Sequence, residues 1–363
     1  MGAEVGADGW ADAWRDAPVV SRGILFPAES APKVRLERYR PSADLTAFVR
    51  HYWIPRWSLP PGETHEEVLL QYATCNLVVG DDYAALFGLA RGVGSRTLAG
   101  TGWAFGVMLQ PGAARTLLDA RGEVHAGGSG DSRDTGDATS GDAGGSGNPA
   151  DASDSGNPAY AGDTGNPAEA GDSGAATRGG GPRGAPRSVA SLSEAPEPLA
   201  TLVTGGAELV ARIRSLRDDD TGMIAAFEHW LRGLRLDAGR GAVINDVVRA
   251  VETDPELRTV EELAGRFGLG VRSLQRLTAE FVGMNPKWLL QRQRLQDAAA
   301  RLRDEPRAGG ASTLADLAAE LGYADQAHFS RDFAQAVGMA PGEYSRRTQA
   351  ESGLDVPQLR SEA

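Results

Sequence analysis

Ala324-Asp325-Gln326-Ala327-His328-Phe329-Ser330-Arg331-Asp332-Phe333 is the stretch that decides the fold of the C-terminal half of the chain. It follows a short segment of helical periodicity and a Leu321-Gly322-Tyr323 turn, and its two phenylalanines stand four residues apart, as on one buried helix face. A short helix, a glycine turn and a second helix with a polar outer face are typical of a helix-turn-helix unit. The stretch therefore predicts a recognition helix whose outward residues are Gln326, Ala327, Ser330 and Arg331.

The same pattern occurs about 54 residues earlier in the chain. Thr259 and Glu262 have the spacing of a capping box, which predicts that a first helix begins there. Gly268 supplies the turn, and a second helix is predicted from about residue 271 to 281. Its outward face consists of Arg272, Gln275, Arg276 and Ala279. Arginine and glutamine suit bidentate contacts to guanine and adenine edges, so this face predicts contact with a DNA major groove.

A longer helix is predicted between the two units, from Pro286 to Arg303, because proline after a capping Asn285 favours a helix start. Eighteen residues of helix span about 27 Å. Such a helix would hold the two units at a fixed separation, so that both enter successive major grooves on one face of a duplex. A closing helix is predicted from Pro341.

At these residues the sequence resembles the AraC/XylS family of bacterial regulators, over about residues 243–347. The matching pieces are Ser273 to Leu277, Val282 to Trp288, Arg294-Leu295 with Ala298, Glu320 to Tyr323, Asp325 to Phe329, Arg331 to Phe333, and Val337-Gly338 with Pro341 and Tyr344. The resemblance implies a seven-helix DNA-binding domain that regulates transcription at promoters. It also implies base or phosphate contacts by Arg272, Gln275, Arg276, Gln326, Ala327 and Arg331.

One departure from the family concerns the end of the first recognition helix. Where the family usually shows phenylalanine and basic residues, this chain has Thr278-Ala279-Glu280. A carboxylate at residue 280 would repel phosphate if it faced the DNA.

The N-terminal region, residues 23–125, carries short apolar runs with turn signals every 8–12 residues, which favour a β sandwich or barrel. Short helices are expected at 45–49 and 113–118. The region resembles a sensor domain of uncharacterised function that is often fused to this type of DNA-binding domain. The matching pieces are Gly23 to Pro27, Tyr39 with Pro41, His51 to Trp53, Asn76 to Val78, Gly100 with Gly102, Phe105 to Val107, and Gln110 to Gly112. By analogy with other family members, a small β barrel is expected.

Three segments have compositions that do not favour a packed core. Residues 1–22 are rich in Ala, Gly and Asp, and residues 126–188 contain three copies of a nine-residue unit with Gly-Asn-Pro-Ala. Both are predicted to be disordered, the second as a spacer, and 348–363 is assigned as a tail. The predicted fold class is α+β: a small β-barrel-like N-terminal domain, a disordered repeat spacer, and an all-α C-terminal domain with two helix-turn-helix units.

Residues 189–238 are predicted to be helical, with an apolar stripe that includes Met223, Phe227 and Leu231. The stripe has two interpretations: packing on the sensor domain, or a helix of a homodimer interface.

A sensor pocket needs apolar walls and a few polar groups. The candidate ligand-binding residues are Tyr52, Trp53, Gln71 and Trp103, although each also suits a structural core. No metal site, catalytic nucleophile or cofactor motif is expected, because the chain has no His-x-His cluster, Gly-x-Ser-x-Gly, P-loop or dinucleotide fingerprint.

The net charge of -12 counts against a nucleic-acid partner. However, residues 259–347 hold 12 basic and 11 acidic residues, whereas the spacer holds 9 acids and 4 arginines. We expect a cytoplasmic, nucleoid-associated protein whose partner is double-stranded DNA, with no membrane partner. RNA polymerase, a small-molecule effector and a second copy of the chain are left open. The alternatives are an N-terminal β-barrel enzyme or metal binder with a helical protein-interaction module, and a DNA binder without sequence preference.

Overall fold

The computed structural model describes residues 23–89, 92–126, 188–304 and 313–352. The predictions for residues 1–22, for nearly all of the 126–188 spacer and for the end of the 348–363 tail lie outside these ranges.

In the described residues, eight strands form two antiparallel sheets. The larger sheet has six strands in the order β1-β2-β7-β4-β5-β8, and β3 pairs with β6 in a separate two-stranded ribbon. The strands are β1 Val34–Tyr39, β2 Val49–Ser58, β3 Thr64–Leu69, β4 Asn76–Gly80, β5 Ala84–Phe87, β6 Gly94–Ala99, β7 Thr101–Leu109 and β8 Glu197–Pro198. A sheet-rich N-terminal domain is thus confirmed. Within the described ranges the strands do not close into a barrel.

The two short helices predicted in this domain differ in outcome. A helix does begin at Ala113, but it extends to Ala126 rather than 118. The helix expected at 45–49 is wrong: a single 3-10 turn ends at Leu45, and Val49 begins β2 opposite Leu109 of β7. Valine loses side-chain freedom in a helix and packs well on a pleated sheet, which favours the strand here.

Twelve helices are described. They are α1 Pro27–Ser30, α2 Ala113–Ala126, α3 Leu199–Leu202, α4 Gly206–Ser215, α5 Asp220–Gly233, α6 Gly239–Thr253, α7 Val260–Arg266, α8 Val271–Phe281, α9 Pro286–Asp304, α10 Leu314–Glu320, α11 Gln326–Val337 and α12 Pro341–Ser352. From α7 onward their bounds agree with the sequence-based helices to within a few residues.

The apolar stripe of α5 packs on the inner face of the large sheet. Phe227 lies 5.9 Å from the ring of Tyr52 and 6.1 Å from that of Phe105, and Met223 and Leu231 are at most 3% exposed. The stripe is therefore part of the molecule's own core, in keeping with the first of its two interpretations.

One hydrophobic core joins the sheet to α2, α4, α5, α6 and the first helix-turn-helix unit, α7 and α8. A second core joins the second unit, α10 and α11, to the end of α9, to α12 and to Leu25, Phe26 and Leu70 of the N-terminal domain. The N-terminal domain thus packs against both units.

Buried polar contacts reinforce this junction. Arg292 of α9 donates to the carbonyl oxygens of Gln71 and Gly92 at 3.0 and 3.1 Å. Arg50 of β2 donates to both carboxylate oxygens of Glu252 in α6, at 3.0 and 2.5 Å. Because buried hydrogen bonds to charged groups are among the stronger ones, they fix the orientation of the N-terminal domain on the helices.

A membrane-spanning helix needs a long, continuous apolar stretch, and no helix in the described ranges has one.

Candidate nucleic-acid interface

The first helix-turn-helix unit is built on local signals. The Thr259 hydroxyl accepts from the amide of Glu262 at 3.2 Å, and the Glu262 carboxylate accepts from the Thr259 amide at 2.9 Å. This capping box starts α7 where the sequence predicts it. Gly268 then turns the chain at φ +62°, which favours glycine, and Leu274 of α8 is fully buried. One face of α8 is thereby directed inward and the opposite face outward.

The second unit repeats the scheme with different caps. Thr313 and Asp316 form a capping box at the start of α10, and the Asp325 carboxylate accepts from the amide of His328 at 2.7 Å at the start of α11. Phe329 and Phe333 are fully buried, with ring centroids 5.6 Å apart. The predicted buried face of α11 is confirmed.

All six predicted contact residues are exposed in the structure: Arg272, Gln275, Arg276, Gln326, Ala327 and Arg331. Within the described ranges, the five polar side chains among them make no ion pair or side-chain hydrogen bond. Their donors therefore do not have to leave a protein partner before they meet a ligand. That these residues contact bases remains a prediction.

Helix α9 carries both units. Its first half places Leu289 and Leu290 in the core of the first unit, and its second half places Leu295, Ala298 and Leu302 in the core of the second. Nineteen residues of helix span about 28 Å. The separation of α8 and α11 is thus set by one continuous helix with apolar contacts at both ends.

Glu280, near the end of α8, has an ion-pair partner. Its carboxylate is paired with the guanidinium of Arg240, the second residue of α6, at 3.2 and 3.0 Å. Sequence reasoning missed this partner because Arg240 lies 40 residues away and no local signal links the two.

His328 occupies the first turn of α11 and is half exposed. Its ring meets the edge of Tyr323 at 5.2 Å, and its Nε2 lies 3.5 Å from the Asp332 carboxylate. Asp332 also accepts from Gln291 of α9 at 2.6 Å, so this carboxylate ties the second recognition helix to the connecting helix.

The four candidate ligand-binding residues do not converge on one pocket. Tyr52 is fully buried in the core and donates to Glu228 at 3.2 Å, and burial, together with Glu228, raises the pKa of its phenol. Trp53 lies on the opposite face of the sheet, since neighbouring strand residues alternate, and it donates to Asn76 at 3.2 Å. Trp103 donates to Asp81 at 2.7 Å. The main-chain carbonyl of Gln71 accepts from Arg292 of α9.

Metal-ligating side chains and the Cys75 thiol are the remaining candidates for chemical reactivity. In the described part of the chain, no three His, Cys, Asp or Glu side chains come together as a metal site needs. Cys75 is buried, and burial raises the pKa of its thiol to about 12, so little of the reactive thiolate forms at neutral pH.

A family model described as a helix-turn-helix domain matches residues 263–347. Over 79 residues the chain is 35% identical to the HTH-type transcriptional activator RhaS of Pectobacterium carotovorum. This alignment covers 22% of this chain and 26% of that protein. Over 122 residues it is 30% identical to a Streptomyces lividans protein named as an AraC-like transcription regulator, covering 33% of this chain and 37% of the relative. The C-terminal part of the chain is an AraC-type helix-turn-helix domain.

One solved structure and a second family model are also similar to parts of this chain. A solved AraC-type DNA-binding-domain protein from Chromobacterium violaceum is similar over 31% of this chain and 96% of its own, at 20% identity and a TM-score of 0.27. A second family model, described as a domain of unknown function (DUF6597), matches residues 37–124. The aligned regions span 26% of the Pectobacterium relative and 37% of the Streptomyces relative, so the chain matches well under two thirds of either protein.

Proposed function

We propose that this protein is a sequence-specific transcription regulator that binds double-stranded DNA through both units of its AraC-type domain. The observation that carries the proposal is the pair of helices α8 and α11, which both pack on α9 and present guanidinium and carboxamide groups that have no protein partner within the described ranges. Arginine pairs with guanine and glutamine with adenine in the major groove, so this set of groups suits direct readout of sequence.

The N-terminal domain is proposed to modulate this binding. It contacts α9 through Arg292 and Gln296, and α6 through Arg50, so a change in its conformation alters the helices on which both units rest. The signal would be a small-molecule effector or a protein partner. Double-stranded DNA is the primary partner, and RNA polymerase and a second copy of the chain are further candidates.

Binding-site selection from random duplexes with the full chain tests the proposal. Arg331→Ala and Gln326→Ala should each weaken binding to the selected site by about 1–3 kcal/mol and relax base preference at one position. Arg212→Ala is a matched control: Arg212 is an exposed arginine on α4 of the N-terminal domain, so its loss should leave affinity unchanged.

Three outcomes count against the proposal. Selection that enriches no common sequence would favour a binder without sequence preference. Equal losses for the Arg331 and Arg212 variants would point to nonspecific charge alone. No binding at any salt concentration would favour the protein-interaction alternative for the helical half.

A further inference from the structure

The first recognition helix contains an acidic residue in a position that opposes DNA binding. Glu280 is the single acid in α8, and it stands four residues after Arg276, one of the proposed contacts. Side chains four apart on a helix are neighbours, so a free Glu280 carboxylate would attract the Arg276 guanidinium. It would also repel the phosphates of a bound duplex.

Arg240 occupies both oxygens of that carboxylate. Its Nη1 lies 3.2 Å from Oε1 and its Nη2 lies 3.0 Å from Oε2, the two-point geometry that arginine forms with carboxylates. Its guanidinium also lies 5.8 Å from the centre of the Phe281 ring. Arg276, in contrast, makes no ion pair within 4 Å in the part of the chain that the structure describes. The acid therefore has a partner that comes from outside the recognition helix.

The partner belongs to a helix whose start is fixed by the N-terminal domain. The Gly112 amide donates to Asn245 of α6 at 2.8 Å, and Asn245 donates in turn to the carbonyl of Ala47 at 3.0 Å. Next to Arg240, Gly241 packs so closely on Gly112 that a Cβ added to Gly112 would lie 2.4 Å from the Gly241 carbonyl oxygen. The position of Arg240 is thus set by contacts with the N-terminal domain.

We propose that Arg240 is a positioning residue for DNA binding: it holds the Glu280 carboxylate away from Arg276 and thereby leaves the Arg276 guanidinium to the DNA. This inference rests on the proposed DNA-binding function. It also gives the N-terminal domain a direct influence on the charge of α8, because a shift of the first turn of α6 withdraws Arg240 and frees the acid.

A mutant cycle on the full chain tests the inference, with affinity for the selected site measured by fluorescence anisotropy over a range of salt concentrations. Loss of one contact weakens specific binding by roughly fivefold to a hundredfold. Arg240→Ala displaces the contact of Arg276 with DNA without deleting it, so we expect about fivefold to tenfold weaker binding. The slope of log affinity against log salt concentration should fall in magnitude by about one. Glu280→Gln should bind at least as tightly as the wild type, and the double variant should match Glu280→Gln. Arg240→Lys keeps the charge and should retain most of the affinity.

The cycle separates this role from a structural one. If Arg240→Ala weakens binding equally with Glu280 and with Gln at position 280, Arg240 acts through packing and the inference is wrong. No effect of Arg240→Ala in either background also overturns it. Failure of the proposed function looks different, because then the wild-type chain itself selects no duplex. Thermal melting of each variant shows whether the fold is retained, and an exposed ion pair predicts little change.

Discussion

Two buried arginines join the N-terminal domain to the helices, and their replacement by methionine should change stability by very different amounts. Arg50 is paired with a carboxylate, whereas Arg292 donates to main-chain carbonyls. Arg50→Met leaves the Glu252 carboxylate, whose side chain is 17% exposed, without its ion-pair partner. Removing one member of a buried ion pair lowers the free energy of unfolding by about 3–5 kcal/mol, because an unpaired charge remains in the core. We expect a loss of about that size.

Arg292→Met removes a charge that the fold holds at a cost. Burial lowers the pKa of Arg292 to about 10, which corresponds to a penalty of roughly 3 kcal/mol on the charged form at neutral pH. Against this gain, two carbonyls lose a donor. The Gln71 carbonyl keeps Gln296 at 3.3 Å, so the main loss is the bond to Gly92, worth about 1–3 kcal/mol. The two effects nearly cancel, and stability should stay within about 2 kcal/mol of the wild type.

Urea unfolding at pH 7, followed by circular dichroism and by tryptophan fluorescence, measures both variants. The double variant Arg50→Met/Glu252→Met removes the orphaned carboxylate as well and should recover most of the loss. Equal losses for Arg50→Met and Arg292→Met would refute the reasoning, since the presence or absence of a carboxylate partner would then not matter. So would a double variant no more stable than Arg50→Met.

Two further predictions concern a backbone contact and a half-buried histidine. Gly283 and Gly268 both adopt left-handed φ, but a Cβ on Gly283 would also lie 2.7 Å from Ala190 whereas one on Gly268 meets nothing within 4 Å. Gly268→Ala should therefore cost about 1 kcal/mol and Gly283→Ala clearly more in thermal melts, and equal costs would argue against the packing of residue 190 on the first unit. Burial, reinforced by Arg38 and Arg50, lowers the pKa of His51 to about 4, so the unfolded chain takes up this proton at a higher pH than the folded one. Stability should fall between about pH 6.5 and pH 4, and His51→Gln should reduce that fall by roughly 2 kcal/mol when urea unfolding is compared at pH 7 and pH 4.5; an unchanged pH dependence would contradict this.

The helices of the AraC-type domain were predictable because their signals are local. Thr259 with Glu262 and the glycine at 268 specify where helices begin and turn within a few residues of sequence. The predicted helix at 45–49 failed for the opposite reason: pairing of Val49 with Leu109, 60 residues away, outweighs local helical spacing.

The site was less predictable than its helices. The helical periodicity within α8 and α11 identifies the outward residues, and the structure exposes all six predicted contact residues among them. In contrast, the pairing of Arg240 with Glu280 and the contact of Arg292 with Gln71 join residues 40 and 221 positions apart. No periodicity or motif encodes such contacts, because they arise only when segments that are distant in sequence pack together. The candidate pocket residues stay a prediction, and the structure adds only that Tyr52 and Trp53, adjacent in sequence, face opposite sides of the sheet.

The length of α9 has a consequence for how new specificities can be engineered. Each inserted residue would rotate one half of this helix by about 100° relative to the other and lengthen it by about 1.5 Å. Leu289 and Leu295 would then no longer both point into their own cores. On the proposed function, the distance between the two DNA segments that α8 and α11 read is set by this scaffold, and redesign is confined to the exchangeable surface residues of these two helices.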